Sequence, residues 1–579
     1  MALDSTLTAI TTASALDVQL AALLQRLGGS TDEAVNNALQ SLVCYVSERT
    51  RDGVIAAPLA DLQLHADALA ALRQLPVVGV EHECAPLILN QTHAWLYRYW
   101  LYETRLAEWI QQHVTQRSDV MPVGLPRFPM LNAQQQAAVL GALRHDFLII
   151  AGGPGTGKTT TVTCILAALV EQGIVPERIR LAAPTGKAAM RMQEAIRATK
   201  QRLGLAAAVA ERIPEQAQTL HRLLGYIPNT IGFHYHKDHP LPADVVIVDE
   251  ASMIDVSLMT HLCEAIAPHT KLLLLGDKDQ LSSVETGSIF RDLCTGDVLR
   301  DYIILLEQSH RFVDEDGIGQ LAAAIRAADL PRLLSVFADE QFATVSLDET
   351  LQGLDAQTLR YGWRTYLEAV QTYVQQPSAA QQQVVFDSFN ALRILTPLRK
   401  GRLGVEGLNP WVDALMRRVL PHTTGASRQW YVGRPVMVTR NDYRQDLFNG
   451  DIGIALPNAD GELRVWFPDA AGVGQYRAVA PIRLPSHETA WAMTIHKSQG
   501  SEFERVLLVL PDTEDLALLG RELLYTAVTR AKQGIHMVAR EKVLGKALHR
   551  VTPPSSQIQA KLSALIGTGN VEEIHNSSL

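Results

Sequence analysis

The residues able to do chemistry gather first in "LIIAGGPGTGKTTT", 148–161, where Gly152, Gly157, Lys158 and Thr159 stand in the spacing G-x-x-x-x-G-K-[ST]. Glycines let consecutive backbone N–H groups curl round an anion, and a helix opening behind them adds about half a positive charge. On this reading Gly152, Gly153, Pro154, Gly155, Thr156, Gly157, Lys158, Thr159 and Thr160 cradle a nucleoside triphosphate. Lys158 reaches the β- and γ-phosphates, and the Thr159 hydroxyl ligates Mg²⁺. A second cluster is "VVIVDEASM", in which four β-branched residues run straight into Asp249 and Glu250. A strand ending there brings the Asp249 carboxylate to the phosphate loop as a Mg²⁺ ligand, direct or through water. Glu250 then orients and polarises an attacking water. Hydrolysis, and not only binding, is expected.

These groups work only if strands and helices deliver them. The loop follows a strand-like run, 147–151, and opens into a helix-like run, 162–170. From about residue 116 the runs "FLIIAG", "IRLAAP", "DVVIVDE" and "KLLLLGD" each end in a polar or glycine-containing turn. That is the pattern of a parallel sheet flanked by helices. A second series, "LRILTP", "RVLLVLP" and "GIHMVAR", has no phosphate loop of its own, which places one nucleotide in a cleft between two α/β units. Between about 430 and 487, short alternating strands with Asn-Gly and Asp-Gly turns mark a small inserted β module. Residues 1 to about 115 are read as helical, from "LDVQLAALLQRLGG" and "HAWLYRYWLYETRLAEWIQQHV". Their aromatics fit core or interface packing better than base stacking, with Trp95, Tyr99 and Trp100 as candidate anchors for a partner.

Composition removes several classes. No run of about eighteen apolar residues occurs, so a membrane span is not expected. The N-terminus lacks the basic region of a signal peptide. Five scattered cysteines (Cys44, Cys84, Cys164, Cys263, Cys294) form no C-x-x-C pair, which speaks against a zinc ribbon or a disulfide framework and suits the cytoplasm. The net charge of −9 does not exclude nucleic acid, because a basic cleft can sit in an acidic protein.

Six further segments fall in a fixed order: "LAAPTGKAAMRM" (181–192), "TLHRLLG" (219–225), "LLLLGDKDQLSSVETGSIFRDL" (272–293), "LEQSHRF" (306–312), "AMTIHKSQGSEF" (492–503) and "LLYTAVTRAK" (523–532). Over roughly residues 130 to 540 this order resembles the superfamily-1 DNA helicases, in the branch that moves 5′ to 3′. "GDKDQLSSVETGSIFRDL", "LFNGDIGI" and the modest N-terminal region are similar, within that branch, to the RecD family, the alpha chains of exodeoxyribonuclease V. The resemblance implies an α/β fold of two RecA-like parallel-sheet domains. A helical partner-docking domain would span 1–115. The first motor domain would span 116–345 with a small insertion near 196–243, and the second 346–579 with an SH3-like β module near 430–487. It implies ATP and Mg²⁺ as cofactors. It further implies a 5′→3′ helicase subunit in double-strand break repair, working on single-stranded and duplex-end DNA beside beta and gamma chains.

Residue roles follow from the same resemblance. Gln135 in "LNAQQQAAV" would read the adenine edge, since an amide both donates and accepts. Gln280 would sense the γ-phosphate, and Arg311 and Arg530 would meet it from the second unit, neutralising transition-state charge. With Lys158, Asp249 and Glu250 these form the catalytic set. Pro184, Thr185, His221, Thr494, His496, Lys497 and Ser498 would contact DNA. "RKGRLG" (399–404) and "RNDYRQD" (440–446) add local positive charge, or are simply solvated faces. No acidic triad of nuclease type occurs outside these motifs, so any nuclease activity would belong to a partner. A stand-alone helicase, or a DNA-stimulated ATPase that clamps DNA without unwinding it, remain alternative readings.

Overall fold

The computed structural model describes residues 13–62, 64–115, 128–228, 230, 232–282, 286–308, 316–350, 359–360, 362–420, 429–442, 444–469, 474–513 and 518–566. Among the described residues the strands form four sheets. The first unit holds a wholly parallel sheet in the order Ile303–Leu306, Phe147–Gly152, Lys271–Gly276, Val245–Val248, Ile179–Ala183, Ala217–Thr219. Its central strands are apolar throughout because both faces are covered. Phe147 and Ile149 enter one core with Val246, Val248, Leu272 and Leu274. Leu148 and Ile150 enter the other with Val245, Ile247, Leu273 and Leu275. The period of two that usually separates core from solvent here separates two cores.

The second unit repeats the plan. Its parallel sheet runs Val345–Asp348, Ala531–Val538, Phe503–Val509, Leu392–Thr396, Ala492–Thr494. An antiparallel sheet of Tyr476–Val479, Leu463–Pro468, Ile452–Pro457, Pro435–Val438 and His487–Thr489 is inserted in the chain just before the edge strand Ala492–Thr494. Two RecA-like sheets and a small β module are thus present. In these two parallel sheets the strands the sequence pattern did not single out are short and lie at sheet edges, such as Ala217–Thr219, where little apolar surface is required.

Three boundaries differ from the expected ones. Helices Gly317–Ala327 and Leu330–Ala338 send Ile318, Leu321, Ile325 and Leu333 into the second unit's core, so that core begins near 316 and not 346. Helix Tyr97–Thr115 packs Leu106, Trp109 and Ile110 onto the first sheet, although it was read as part of the N-terminal domain. That region is helical, but "HAWL" is not helix. His93–Leu96 is a strand in a sheet with Ala57–Pro58, Leu87–Leu89 and Val78–Gly79, and pairs Trp95 with Ile88.

The third difference is at the C-terminus, where the chain leaves the second unit and returns to the first. Ile558 and Leu562 join the first core. The Ser555 N–H and hydroxyl and the Ser556 hydroxyl donate to Asp292 at 3.1, 2.8 and 2.6 Å. Burial raises the Asp292 carboxyl above the usual range, and these donors act against it. Lys561 pairs with Glu103 at 2.9 Å, its ammonium over the rings of Trp95 and Trp100. This corrects the expected partner anchors. Trp95 and Trp100 are 0% and 6% exposed and pack inside the chain, while Tyr99 is only half-buried. Among the exposed apolar side chains of this region, Leu16, Leu23 and Leu27 on helix Ala15–Gly28 are spaced to share one face.

Among the described residues no helix is long and apolar enough to cross a membrane. Because Asp292 alone accepts three donors from the returning segment, Asp292→Ala should cost about 1–3 kcal/mol, the usual penalty for orphaned buried polar groups. Thermal melting should show a clearly lowered Tm. An unchanged Tm would mean that apolar contacts alone hold the segment.

Candidate functional site

The phosphate loop joins strand Phe147–Gly152 to helix Lys158–Glu171. Gly155 and Gly157 lie at φ +77° and +79°, a left-handed backbone that other residues adopt only with strain. Gly152 is needed for a different reason: a β-carbon there would lie 2.7 Å from Thr156 Oγ1 and 2.9 Å from Leu306 Cβ. Lys158 Nζ donates to the carbonyls of Gly152 (2.6 Å) and Gly153 (3.0 Å), which lays the ammonium across the loop. Gln135 braces this loop. Its Nε2 donates to Thr156 O at 3.0 Å, and its Oε1 accepts the Asn132 N–H at 3.0 Å in a capping box. The amide expected to read adenine is therefore tied to the loop and the helix cap, and any base contact would start from that anchored position.

Asp249 follows directly on strand Val245–Val248 and accepts the Glu250 N–H at 2.8 Å. Glu250 sits at φ +53°, left-handed for a non-glycine residue, the kind of local strain that tertiary structure must hold in place. Burial raises the Asp249 carboxyl above the usual range. The charge of Glu250 raises it further, and Lys158 opposes both. Burial raises Asp277 as well, and Lys158 is again the first opposing charge. Two acids thus draw on one lysine. Thr159 and Asp249 offer oxygen donors only, which fits Mg²⁺, and a hard dication would relieve the crowded negative charge. Among the described residues no group of three or more His, Cys, Asp or Glu forms a metal cage. Mg²⁺ takes few ligands from protein and completes its shell with water and phosphate oxygens. Bound there, the ion would neutralise charge on the leaving phosphates.

Gln280 is 6% exposed and donates from Nε2 to Asp277 Oδ2 at 2.9 Å, while Asp277 Oδ1 accepts the Asp279 N–H at 3.0 Å. The second unit reaches this group through helix Arg521–Val528. The Tyr525 hydroxyl lies 2.8 Å from where a Gly153 β-carbon would be, and it hydrogen-bonds Asp277. Burial and the Asp277 charge push the phenol well above its ordinary range. Arg291 and Glu522 pair across the same cleft at 2.7 Å. Sequence reasoning did not assign roles to Asp277 or Tyr525, although both stand inside the segments quoted for the resemblance.

Arg530 departs from its expected place. It is 3% exposed, and its guanidinium donates to Thr526 O (3.2 Å) and Ser501 O (3.1 Å), inside the second unit. These two carbonyls hold the buried guanidinium in place, and the Thr526 carbonyl also accepts from the Thr529 hydroxyl at 3.2 Å. Arg311 lies outside the described residues.

The candidate DNA contacts divide similarly. Thr185 caps helix Gly186–Arg202, its Oγ1 accepting the Ala188 N–H at 3.2 Å, with Pro184 just before it. His221 is exposed on the short helix Leu220–Leu224. Thr494 ends strand Ala492–Thr494, and His496 is half-buried, its imidazole pKa lowered by that burial. Lys497 Nζ is held by Glu488 at 2.8 Å. Ser498 is fully buried and donates to Ile495 O at 2.7 Å, so its hydroxyl faces the protein and not a strand. A β-carbon on Gly500 would meet Ala188 Cβ at 3.6 Å, so the two segments, one from each unit, abut. In "RKGRLG", Arg399 is paired with Glu406 and Glu488. In "RNDYRQD", Tyr443 lies outside the described residues.

Both units have relatives among known families. Residues 135–286 match an AAA domain, and residues 489–538 match a UvrD-like helicase C-terminal domain. The RecBCD enzyme subunit RecD of Haemophilus influenzae is 34% identical over 562 residues, covering 88% of this chain and 85% of that protein. The chain belongs to the RecD family. The RecD of Mycolicibacterium smegmatis is 38% identical over 507 residues, covering 85% of this chain and 86% of that one. An ATP-dependent RecD2 DNA helicase of Deinococcus radiodurans is 31% identical over 401 residues, 69% of this chain but 48% of that protein.

For this RecD-family chain the site separates binding from chemistry. Glu250→Gln keeps side-chain shape and leaves Asp249, Lys158 and Thr159 intact. Nucleotide affinity should stay within a few-fold while turnover falls by about 10²-fold or more, the scale of a lost general base. Equilibrium titration with a fluorescent ATP analogue, alongside steady-state hydrolysis, reads both. A parallel collapse of affinity would make Glu250 a metal or structural ligand.

Proposed function

We infer that this chain is an ATP-driven, Mg²⁺-dependent DNA helicase motor, moving 5′ to 3′ as the alpha chain of a RecBCD-type assembly. The observation that carries the motor reading is the shared cleft. One phosphate loop is faced by a second parallel-sheet unit whose Tyr525 packs at Gly153, while strand-end segments of both units meet at Ala188 and Gly500. Nucleotide and single strand would then lie across the same interface. Lys158 and the loop amides hold the phosphates, Asp249 and Thr159 hold the ion, and Glu250 polarises the water. Thr185, His221, Thr494 and His496 grip the strand through small polar groups and rings, a set suited to sequence-neutral tracking. Cleft closure on ATP and opening on hydrolysis would shift one grip relative to the other. Strand displacement on duplexes with a 5′ or a 3′ single-stranded tail tests this. Unwinding should require the 5′ tail. Preference for the 3′ tail would reverse the direction, and DNA-stimulated hydrolysis without displacement would leave a clamp.

The curated relatives in the RecD family are subunits of RecBCD enzymes. By that kinship the N-terminal region would dock on the gamma chain, and any nuclease activity would reside in the beta chain. The buried tryptophans cannot serve as anchors, whereas Leu16, Leu23 and Leu27, at 67%, 43% and 57% exposure, form an apolar stripe on one helix face. Leu16→Glu with Leu23→Glu should abolish co-purification with partner chains while leaving DNA-stimulated hydrolysis within about twofold, as solvent-facing substitutions rarely disturb a fold. An intact complex from that variant would move the docking surface elsewhere.

A further inference from the structure

The loop that carries Gln280 is fastened to the second unit on both sides of Leu281. The Leu281 N–H donates to Thr526 Oγ1 at 2.7 Å, and the Leu281 carbonyl accepts from Gln499 Nε2 at 2.6 Å. Both ends of one residue's backbone, immediately after the candidate γ-phosphate sensor, are therefore held by side chains from across the cleft. Thr526 and Gln499 come from different places. Thr526 stands on helix Arg521–Val528, next to the Tyr525 that touches Asp277. Gln499 directly follows the turn 494–498 that carries the second unit's candidate strand contacts, and it is 8% exposed. The turn is fixed on its far side by Arg530, which donates to Ser501 O. Gln280 in turn is aimed by Asp277, whose carboxylate takes the Gln280 amide and the Asp279 N–H.

Resting on the motor reading above, we propose that Gln499 and Thr526 are positioning residues that clamp the Leu281 backbone, so that a single strand bound at 494–498 sets the orientation of Gln280 and the rate of ATP hydrolysis. The physical case is the shortness of the path. From Lys497 to Gln280 it runs through three residues, Ser498, Gln499 and Leu281, and one hydrogen bond. A small rotation of the turn moves the Gln499 amide, and the Leu281 carbonyl must follow or lose its partner in a buried setting, which is costly. Thr526 ties the N–H side of Leu281 to the helix carrying Tyr525, so the sensor loop is tied to the second unit as well as, through Asp277, to its own sheet. Neither side chain would touch nucleotide or DNA.

The test uses the full chain with Gln499→Met, Thr526→Val and the double variant, each close in shape and lacking only the hydrogen-bonding group. Hydrolysis is measured with and without oligo-dT, together with ATP-analogue and oligo-dT affinity. Both affinities and unstimulated turnover should stay within about twofold while stimulated turnover falls about tenfold, an ordinary size for coupling between two sites. The double variant should be no worse than the poorer single, because both groups hold the backbone of one residue, Leu281. Thr526→Ser, which restores the hydroxyl, should recover stimulation, a result that packing alone would not give. Full stimulation in both single variants overturns the proposal, as does an equal loss of unstimulated and stimulated turnover, or no recovery with serine. If Thr526→Val does not fold, the Gln499→Met and Thr526→Ser pair decides by the same criteria. Failure of the motor reading itself looks different: the unaltered chain would then show no stimulation by oligo-dT.

Discussion

Apart from Gln135 on helix Ala133–Arg144 and Arg530 just before strand Ala531–Val538, the described candidate groups leave the carboxyl end of a parallel strand, and that constraint organises the rest. In an open parallel sheet all carboxyl ends lie along one edge, so successive strands deliver their following loops to a common crevice. Phe147–Gly152 delivers the phosphate loop, Val245–Val248 delivers Asp249 and Glu250, and Lys271–Gly276 delivers Asp277 and Gln280. Ile179–Ala183 delivers Pro184 and Thr185 in the same way, and in the second sheet Ala492–Thr494 delivers the turn 494–498. Parallel pairing needs crossover helices, and these cover both sheet faces and make the strands apolar throughout. The chemistry and the core are consequences of one topology.

Electrostatics then makes the crevice selective. Asp249 and Asp277 are both pushed upward by burial, and Lys158 is the positive charge acting on each. Such a place favours a ligand that brings its own dication, and oxygen donors from Thr159 and Asp249 match that ion's preference. The second unit adds the Tyr525 hydroxyl, set between Gly153 and Asp277.

Long-range ties hold the parts in this arrangement. The C-terminal segment crosses back to Asp292 and Glu103, so the N-terminal region, the first unit and the end of the chain share contacts. Arg530 fastens the turn at Ser501 to helix Arg521–Val528 within the second unit. Arg291 and Glu522 pair across the cleft. A motor needs such rigid bodies, because a shift at the nucleotide reaches the strand only through parts that do not deform on the way.

The sequence by itself determined the features written in contiguous residues. The left-handed glycines at 155 and 157, the β-branched run into Asp249, the two series of apolar strands and the Asn-Gly and Asp-Gly turns of the β module are local backbone chemistry, legible without knowing the fold. Their order along the chain was enough to point to the family. Tertiary structure alone decided where long side chains end. The Gln135 amide, the Arg530 guanidinium and the Ser498 hydroxyl each found carbonyl or backbone partners nearby, and burial made those partners obligatory. Trp95 and Trp100 were taken by a lysine 461 and more positions along, a contact no spacing rule can anticipate. The same holds for core membership. Helices Tyr97–Thr115 and Gly317–Ala327 carry the apolar stripe that any buried helix carries, and which sheet they cover depends on neighbours distant in sequence.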